Sequence, residues 1–230
     1  MELFGSCQKA SIDLALSLME GAGITPDDFL RHFEEIHAYL QGGRVSIAWD
    51  SWEVFLATVY SGRCFVSPIN DSDFLSRLPG LTNVWIRPIT ANGKMIESQL
   101  NLDFCKGLPN LMYLNAKNNT GLVNIDGLKN CPNLWTLILE NTNVRDYAIL
   151  KHLHNLDLLN ARFIADFDHT KLSTLKHCPK LMDVAFSSDR KFDMRKRADK
   201  AVLANIKSEV KGYCPAQAEV TIFLSKKACY

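Results

Sequence analysis

Residues 131–139 read Cys131-Pro132-Asn133-Leu134-Trp135-Thr136-Leu137-Ile138-Leu139, and four other stretches align with them without a gap. These are Leu78-Pro-Gly-Leu-Thr-Asn-Val-Trp-Ile86, Leu108-Pro-Asn-Leu-Met-Tyr-Leu-Asn-Ala116, Leu153-His-Asn-Leu-Asp-Leu-Leu-Asn-Ala161 and Cys178-Pro-Lys-Leu-Met-Asp-Val-Ala-Phe186. The anchor leucines are Leu81, Leu111, Leu134, Leu156 and Leu181, at intervals of 30, 23, 22 and 25 residues. Val84, Leu114, Leu137, Leu159 and Val184 follow three residues after the anchors. Ile86, Ala116, Leu139, Ala161 and Phe186 follow five residues after them, and Leu75, Cys105, Leu128, Leu150 and Leu175 precede them by six. In a chain that is 47% hydrophobic, fifteen apolar residues in the anchor, +3 and +5 columns arise by chance about once in 10⁵. The repeat is real, and the alternation after each anchor is that of a strand with one buried face.

The L-x-x-L-x-L blocks resemble the leucine-rich repeat family, and the 22–23-residue intervals are similar to the short bacterial repeats of the internalin type. The asparagine that closes the family's block stands at Asn119, whereas Ile89, Thr142, Ile164 and Asp189 occupy its place in the other units. The resemblance covers about residues 69–189. It implies an α/β solenoid of about five repeats, with parallel strands on a concave side and helical or 3₁₀ turns on the convex side. One unit cannot bury its leucines alone, so stacking builds the core and both end units need covers. The long first interval carries its excess in Ile89–Glu97, where Asn92-Gly93 signals a turn, and this predicts an insertion looping off a strand end.

The flanks read as those covers. Residues 1–68 form a helical N-terminal cap. Ile12, Leu14, Ala15, Leu16, Leu18 and Met19 predict a helix buried on two sides that ends at Gly21 and Gly23. Thr25-Pro26-Asp27-Asp28 starts a second helix, and the spacing of Phe29, Leu30, Phe33, Ile36, His37 and Leu40 extends it to Gly42. A strand-like Val45–Ala48 and an apolar stretch from Trp49 to Tyr60 follow. The acids Asp27, Asp28, Glu34 and Glu35 against one Arg31 disfavour a DNA-reading helix pair. Residues 190–230 form a helix–strand cap, with Val202, Leu203, Ile206 and Val210 on an amphipathic helix and Val220–Leu224 as a strand beside the last repeat.

Composition sets the remaining bounds. Twenty-six basic and 25 acidic residues in 230 give a net charge of +1, which exerts no global pull toward nucleic acid or anionic membranes. No stretch approaches the ~18 apolar residues of a membrane span. The start, Met1-Glu2-Leu3-Phe4-Gly5-Ser6-Cys7, lacks the charged and apolar regions of a signal peptide. Seven cysteines without a C-x-x-C exclude a disulfide framework and a zinc ribbon. The expected location is cytoplasmic, or reached by a signal-less secretion route.

No nucleophile elbow, phosphate-binding loop, dinucleotide fingerprint or zinc-protease motif is present, so no catalytic residue and no cofactor is expected. Cys105, Cys131 and Cys178 stand in leucine columns and read as core. Cys64 and Cys214, in the end regions, carry the enzyme alternative. His152 and His177 share a column with His154 beside them, but no carboxylate or thiol completes a metal site there. His32 and His37 are five apart and do not share a helix face. Lys106, Lys129, Lys151 and Lys176 form a ladder on the convex flank. With the basic run Arg190–Lys200 it carries the alternative of a nucleic-acid or anionic-surface binder, although each lysine also suits the end of a helical turn.

The concave columns carry the leading reading. The expected partner-binding residues are Trp85, Arg87, Tyr113, Asn115, Lys117, Ile138, Glu140, Leu158, Asn160 and Arg162. Aromatic, aliphatic and arginine side chains mixed on an exposed sheet are the composition of protein-binding hot spots. The expectation is a non-enzymatic protein-interaction module with a protein partner, in the role of a bacterial effector or a toxin-neutralising immunity protein.

Overall fold

The computed structural model describes residues 2–31, 37–39, 46–48, 52–66, 73–88, 90–91, 94–95, 100–164, 167–188 and 195–224. The chain opens with helices α1 (Glu2–Gly5), α2 (Lys9–Gly21) and α3 (Pro26–Leu30), then strands β1 (His37–Tyr39) and β2 (Ser46–Ala48), helix α4 (Trp52–Ser61) and strand β3 (Arg63–Val66). Strands β4 (Asn83–Ile86), β5 (Thr90–Ala91), β6 (Lys94–Met95), β7 (Tyr113–Asn115), β8 (Thr136–Ile138), β9 (Leu158–Ala161) and β10 (Asp183–Ser188) follow. Helix α5 (Arg197–Tyr213) and strand β11 (Glu219–Leu224) end it.

Strands β4, β7, β8, β9 and β10 pair in parallel and in chain order, through Asn83↔Tyr113, Tyr113↔Thr136, Thr136↔Leu158 and Leu158↔Asp183. These partners are the residues two after each anchor, so the gapless alignment of the sequence is the pairing register of the sheet. The fold is a leucine-rich repeat solenoid. Its anchors and the +3 and +5 residues are buried, most of them completely. The convex side is built from single 3₁₀ segments at Asp73–Arg77, Asp103–Gly107, Asp126–Asn130, Ala148–His152 and His169–His177. Their tight i→i+3 bonds, such as Leu108 N–H to the Cys105 carbonyl and Leu111 N–H to the Leu108 carbonyl, turn the chain within few residues. Gly127 is required where two turns touch, because a Cβ there would overlap the Leu102 carbonyl.

The family's asparagine is present in one unit and replaced locally in the next. Asn119 is buried, and its amide donates to the carbonyls of Ile86, Ala116 and Lys117 at 2.9, 3.0 and 3.2 Å. In the next unit the Thr142 hydroxyl donates to the Leu139 carbonyl at 2.8 Å. The long first interval holds the antiparallel hairpin β5–β6; Asn92 and Gly93 lie outside the described residues.

The parallel sheet runs past the leucine-matched segment at both ends. β3, within the residues read as N-terminal cap, pairs in parallel with β4 in the same register, Arg63↔Asn83 through Val66↔Ile86. β11 pairs in parallel with β10, as the sequence leads one to expect. Beyond β3 the sheet turns antiparallel through β1 and β2. Here the sequence reading is corrected: a helix continuing to Leu40 was expected, but α3 ends at Leu30 and His37–Tyr39 is a strand. Apolar residues at helical spacing were overridden by the open edge of β3, whose backbone groups need partners. The position of His32 lies outside the described residues.

A second correction concerns α2. It buries Ile12, Ala15 and Met19, while Leu14 and Leu18 are 51% and 58% exposed, so one face is covered and not two. The cap has its own aromatic nucleus, where Phe4 meets Phe29, Trp52 and Phe55 edge-on at 5.1–5.8 Å. The start of α3 follows its sequence: the Thr25 hydroxyl accepts from Asp28 N–H at 3.1 Å, and Asp28 reaches back to Thr25 N–H. At the other end α5 buries Val210 against the last repeat.

Candidate functional site

Of the ten expected residues, Trp85, Tyr113, Asn115, Ile138, Leu158 and Asn160 lie half-buried on the side of the strands opposite the leucine core, and Arg87, Lys117, Glu140 and Arg162 follow one or two residues past the strand ends. A row of rings crosses the first strands. Trp85 stacks on Phe65 at 4.4 Å with an interplanar angle of 8°, and meets Tyr113 at 4.8 Å on its other side. Tyr113 lies two residues off the direct partner of Trp85, the diagonal at which large rings still touch. Trp85 and Tyr113 are half-buried. Arg87 is exposed, with its guanidinium 5.7 Å from the Phe65 ring. Ile138 and Leu158, half-buried, continue the apolar track on β8 and β9. Asn115 stands between Trp85 and Ile138 in register, and its side-chain oxygen accepts from Lys117 N–H at 3.0 Å.

Glu140 departs from the expectation. It was read as a solvent-facing contact residue, but its side chain is 8% exposed. One carboxylate oxygen takes Lys117 Nζ at 2.8 Å. The other takes Asn160 Nδ2 at 3.2 Å and the Arg162 guanidinium. Burial pushes the Glu140 carboxyl up, but the hydrogen bonds from Lys117, Arg162 and Asn160 outweigh it and hold the group below the usual carboxylate range. Glu140 therefore organises two cations and presents little surface of its own. Arg162 Nε also donates to Asn160 Oδ1 at 3.0 Å, and the guanidinium lies 4.5 Å from the Phe223 ring and 5.9 Å from Phe163.

Phe163 takes the left-handed conformation, φ 57°, and is 43% exposed. Asn118 and Asn141 hold the same position in the two preceding turns, also with positive φ, a geometry asparagine tolerates and a phenylalanine adopts only under constraint. Its N–H is held by the buried Ser187 hydroxyl at 2.8 Å.

Sequence reasoning missed Phe65, Phe163 and Phe223. Phe65 was findable, since Arg63-Cys64-Phe65-Val66 matches Asn83-Val84-Trp85-Ile86 in apolar pattern. It also missed the flank at the N-terminal ends of the strands. There Asn110, Asn133 and Asn155 donate their amides to the carbonyls of Pro79, Pro109 and Pro132 in the preceding turn, at 3.1, 3.1 and 2.8 Å. The recurrent asparagine just before the anchor was its signal.

The alternatives can be placed as well. Lys106, Lys129, Lys151 and Lys176 all lie in the last turn of a 3₁₀ segment, and Lys106 is ion-paired to Asp103 at 2.5 Å. Of the basic run, Arg195, Lys196, Arg197 and Lys200 are exposed, and residues 190–194 lie outside the described ones. His152 and His177 are exposed, and His154 Nδ1 lies 3.0 Å from the His177 carbonyl; no group of three metal-ligating side chains gathers among the described residues. Burial pushes the Cys64 thiol well above its ordinary value, and the half-buried Cys214 up to about 11, opposite to the activation a nucleophile requires. No helix among the described residues is long and apolar enough to cross a membrane.

Cys105, Cys131 and Cys178 are fully buried. The expected result of a thiol-labelling time course is that all three stay unmodified in the native protein and react once it is denatured. Burial raises the Cys178 thiol to about 12, which slows its reaction further. Fast native labelling of Cys131 would contradict the stacked core.

No family model and no curated protein matches the chain. Among solved structures it is similar to an internalin, InlF, of Listeria monocytogenes strain 4b F2365, at 17% identity and a TM-score of 0.45, covering 70% of this chain and 48% of that one. It is also similar to internalin C2 of the same strain, at 16% identity and a TM-score of 0.39, covering 81% of each chain. The chain thus spans about half the length of InlF.

Proposed function

We propose that the protein is a non-enzymatic interaction module that binds a protein partner on its concave face. The observation that carries this reading is the row of touching rings Phe65–Trp85–Tyr113, the first pair stacked and the second tilted, running into half-buried Ile138 and Leu158 and bordered by Arg87, Lys117 and Arg162. Rings stacked on a sheet are already ordered, so covering them costs little side-chain entropy. The adjoining guanidinium groups add directional donors at the edge of the apolar track. A bacterial effector and a toxin-neutralising immunity protein are two roles such a module fills; a host protein or a toxin as the bound partner separates them.

The test is affinity capture from the source organism or its host, followed by titration of the purified partner. Tyr113→Ala is expected to weaken binding by about 1 kcal/mol or more with little change in melting temperature, since Tyr113 is only half-buried. Arg162→Ala weakens binding too, but it also strips Glu140 of a partner and so lowers stability. Neutralising Lys129 and Lys151 together is expected to matter far less. If that pair dominates and binding collapses as salt rises, the functional surface is the convex lysine ladder and the ligand is anionic.

A further inference from the structure

The flank that carries the asparagine ladder also holds an open groove of about 750 Å³, within the range of about 300–1,000 Å³ for small-molecule sites. Its floor combines two kinds of group. Trp135 and Met112, side by side on successive turns, are 50% and 39% exposed. Around them stand the amides of Asn110, Asn133, Asn155 and Gln8, with the hydroxyls of Ser6 and Thr82 at the N-terminal end. One carboxylate, Asp157, and one ammonium, Lys180, balance the charge; Lys180 Nζ donates to Asn155 Oδ1 at 2.6 Å.

Each ladder amide spends one N–H on a proline carbonyl and keeps a second N–H; Asn110 and Asn133 also offer a side-chain oxygen, whereas that of Asn155 already accepts from Lys180. The amides are thereby fixed before any ligand arrives, which removes the cost of ordering them on binding. They recur at the strand spacing of about 4.8 Å, close to the length of one sugar unit in an extended chain. A ligand for this surface is neutral, carries donors and acceptors side by side, and has one apolar face to lay on an indole. A hexose meets all three conditions: its hydroxyls both donate and accept, and its axial C–H face is apolar. A protein hot spot, by contrast, wants a dry apolar centre, and here amides and hydroxyls surround the two large apolar side chains.

We propose that this flank is a binding groove for a linear neutral oligosaccharide, with one hexose ring against Trp135 and hydroxyls on Asn110, Asn133 and Asp157. The site is separate from the concave face and stands or falls without it.

The test is calorimetric titration of the full chain with cellohexaose, chitohexaose and maltohexaose. Saturable binding of at least one is expected, weakened about tenfold (about 1.4 kcal/mol) by Trp135→Ala, partly restored in Trp135→Phe and unchanged in Tyr113→Ala. Trp135 is half exposed, so its replacement leaves the fold intact, which circular dichroism verifies. Absence of binding to all three at millimolar concentration overturns the proposal, as does binding that survives Trp135→Ala. Equal or tighter binding of a branched high-mannose glycopeptide overturns the assignment to a linear chain, and capture of an extended peptide with no saccharide binding makes the groove a peptide site.

Discussion

Leu137→Ala is expected to lower the unfolding free energy by about 2–5 kcal/mol, the cost of an unrelaxed cavity in a packed core. Leu137 is completely buried in the middle unit and pairs in register with Leu114 on one side and Leu159 on the other. A solenoid has no core apart from these neighbour contacts, so the loss spreads to both adjacent turns. Urea unfolding followed by circular dichroism measures it. Hydrogen exchange is expected to show faster amides in β7 and β9 as well as β8. A change below about 0.5 kcal/mol, the scale of a surface substitution, would mean that Leu137 does not support the stack.

The second large effect is expected at Glu140. Glu140→Ala leaves Lys117 and Arg162 facing each other without the carboxylate they share. Both cations keep some solvent, with side chains 46% and 26% exposed, so the loss stays below the figure for a fully buried pair. About 2–3 kcal/mol is expected, the scale of hydrogen bonds to a charged group. The pH dependence has a definite sign. The folded-state pKa of Glu140 is lowered, so its contribution is present above the unfolded carboxylate value of about 4.3. It fades as pH falls through the lower folded value. The wild type should therefore lose more stability on acidification than Glu140→Gln, and the two should converge in acid. Parallel acid titrations of the two proteins would refute the ion network as a source of stability.

Leu137 could be placed from the sequence because repetition does for a solenoid what an alignment does for a family: five copies of one unit show which columns are buried. The stacking register followed from the same columns, since a strand shifted by one residue would turn every leucine outward. The identity of the cap elements was partly legible too, through Thr25-Pro26-Asp27-Asp28 at the start of α3 and the amphipathic pattern of α5. Glu140 was not legible in this way. Position +6 faces the concave side by alternation, but alternation says nothing of whether Lys117 and Arg162, 23 and 22 residues away in sequence, close over it. The helix expected to reach Leu40 failed for a related reason: local spacing favours a helix, while the unpaired edge of β3 was supplied from elsewhere in the chain. Phe65 joined the aromatic row only because β3 docks on β4. The repeat, its register and the buried columns could be read from residues 78–186 without coordinates, because they are periodic and each unit repeats the same physical demand. The ion network and the strand at His37–Tyr39 left no mark in the sequence, and the recurrent asparagines did not by themselves show a groove, because each depends on side chains or backbone groups that only stacking or edge pairing brings into contact.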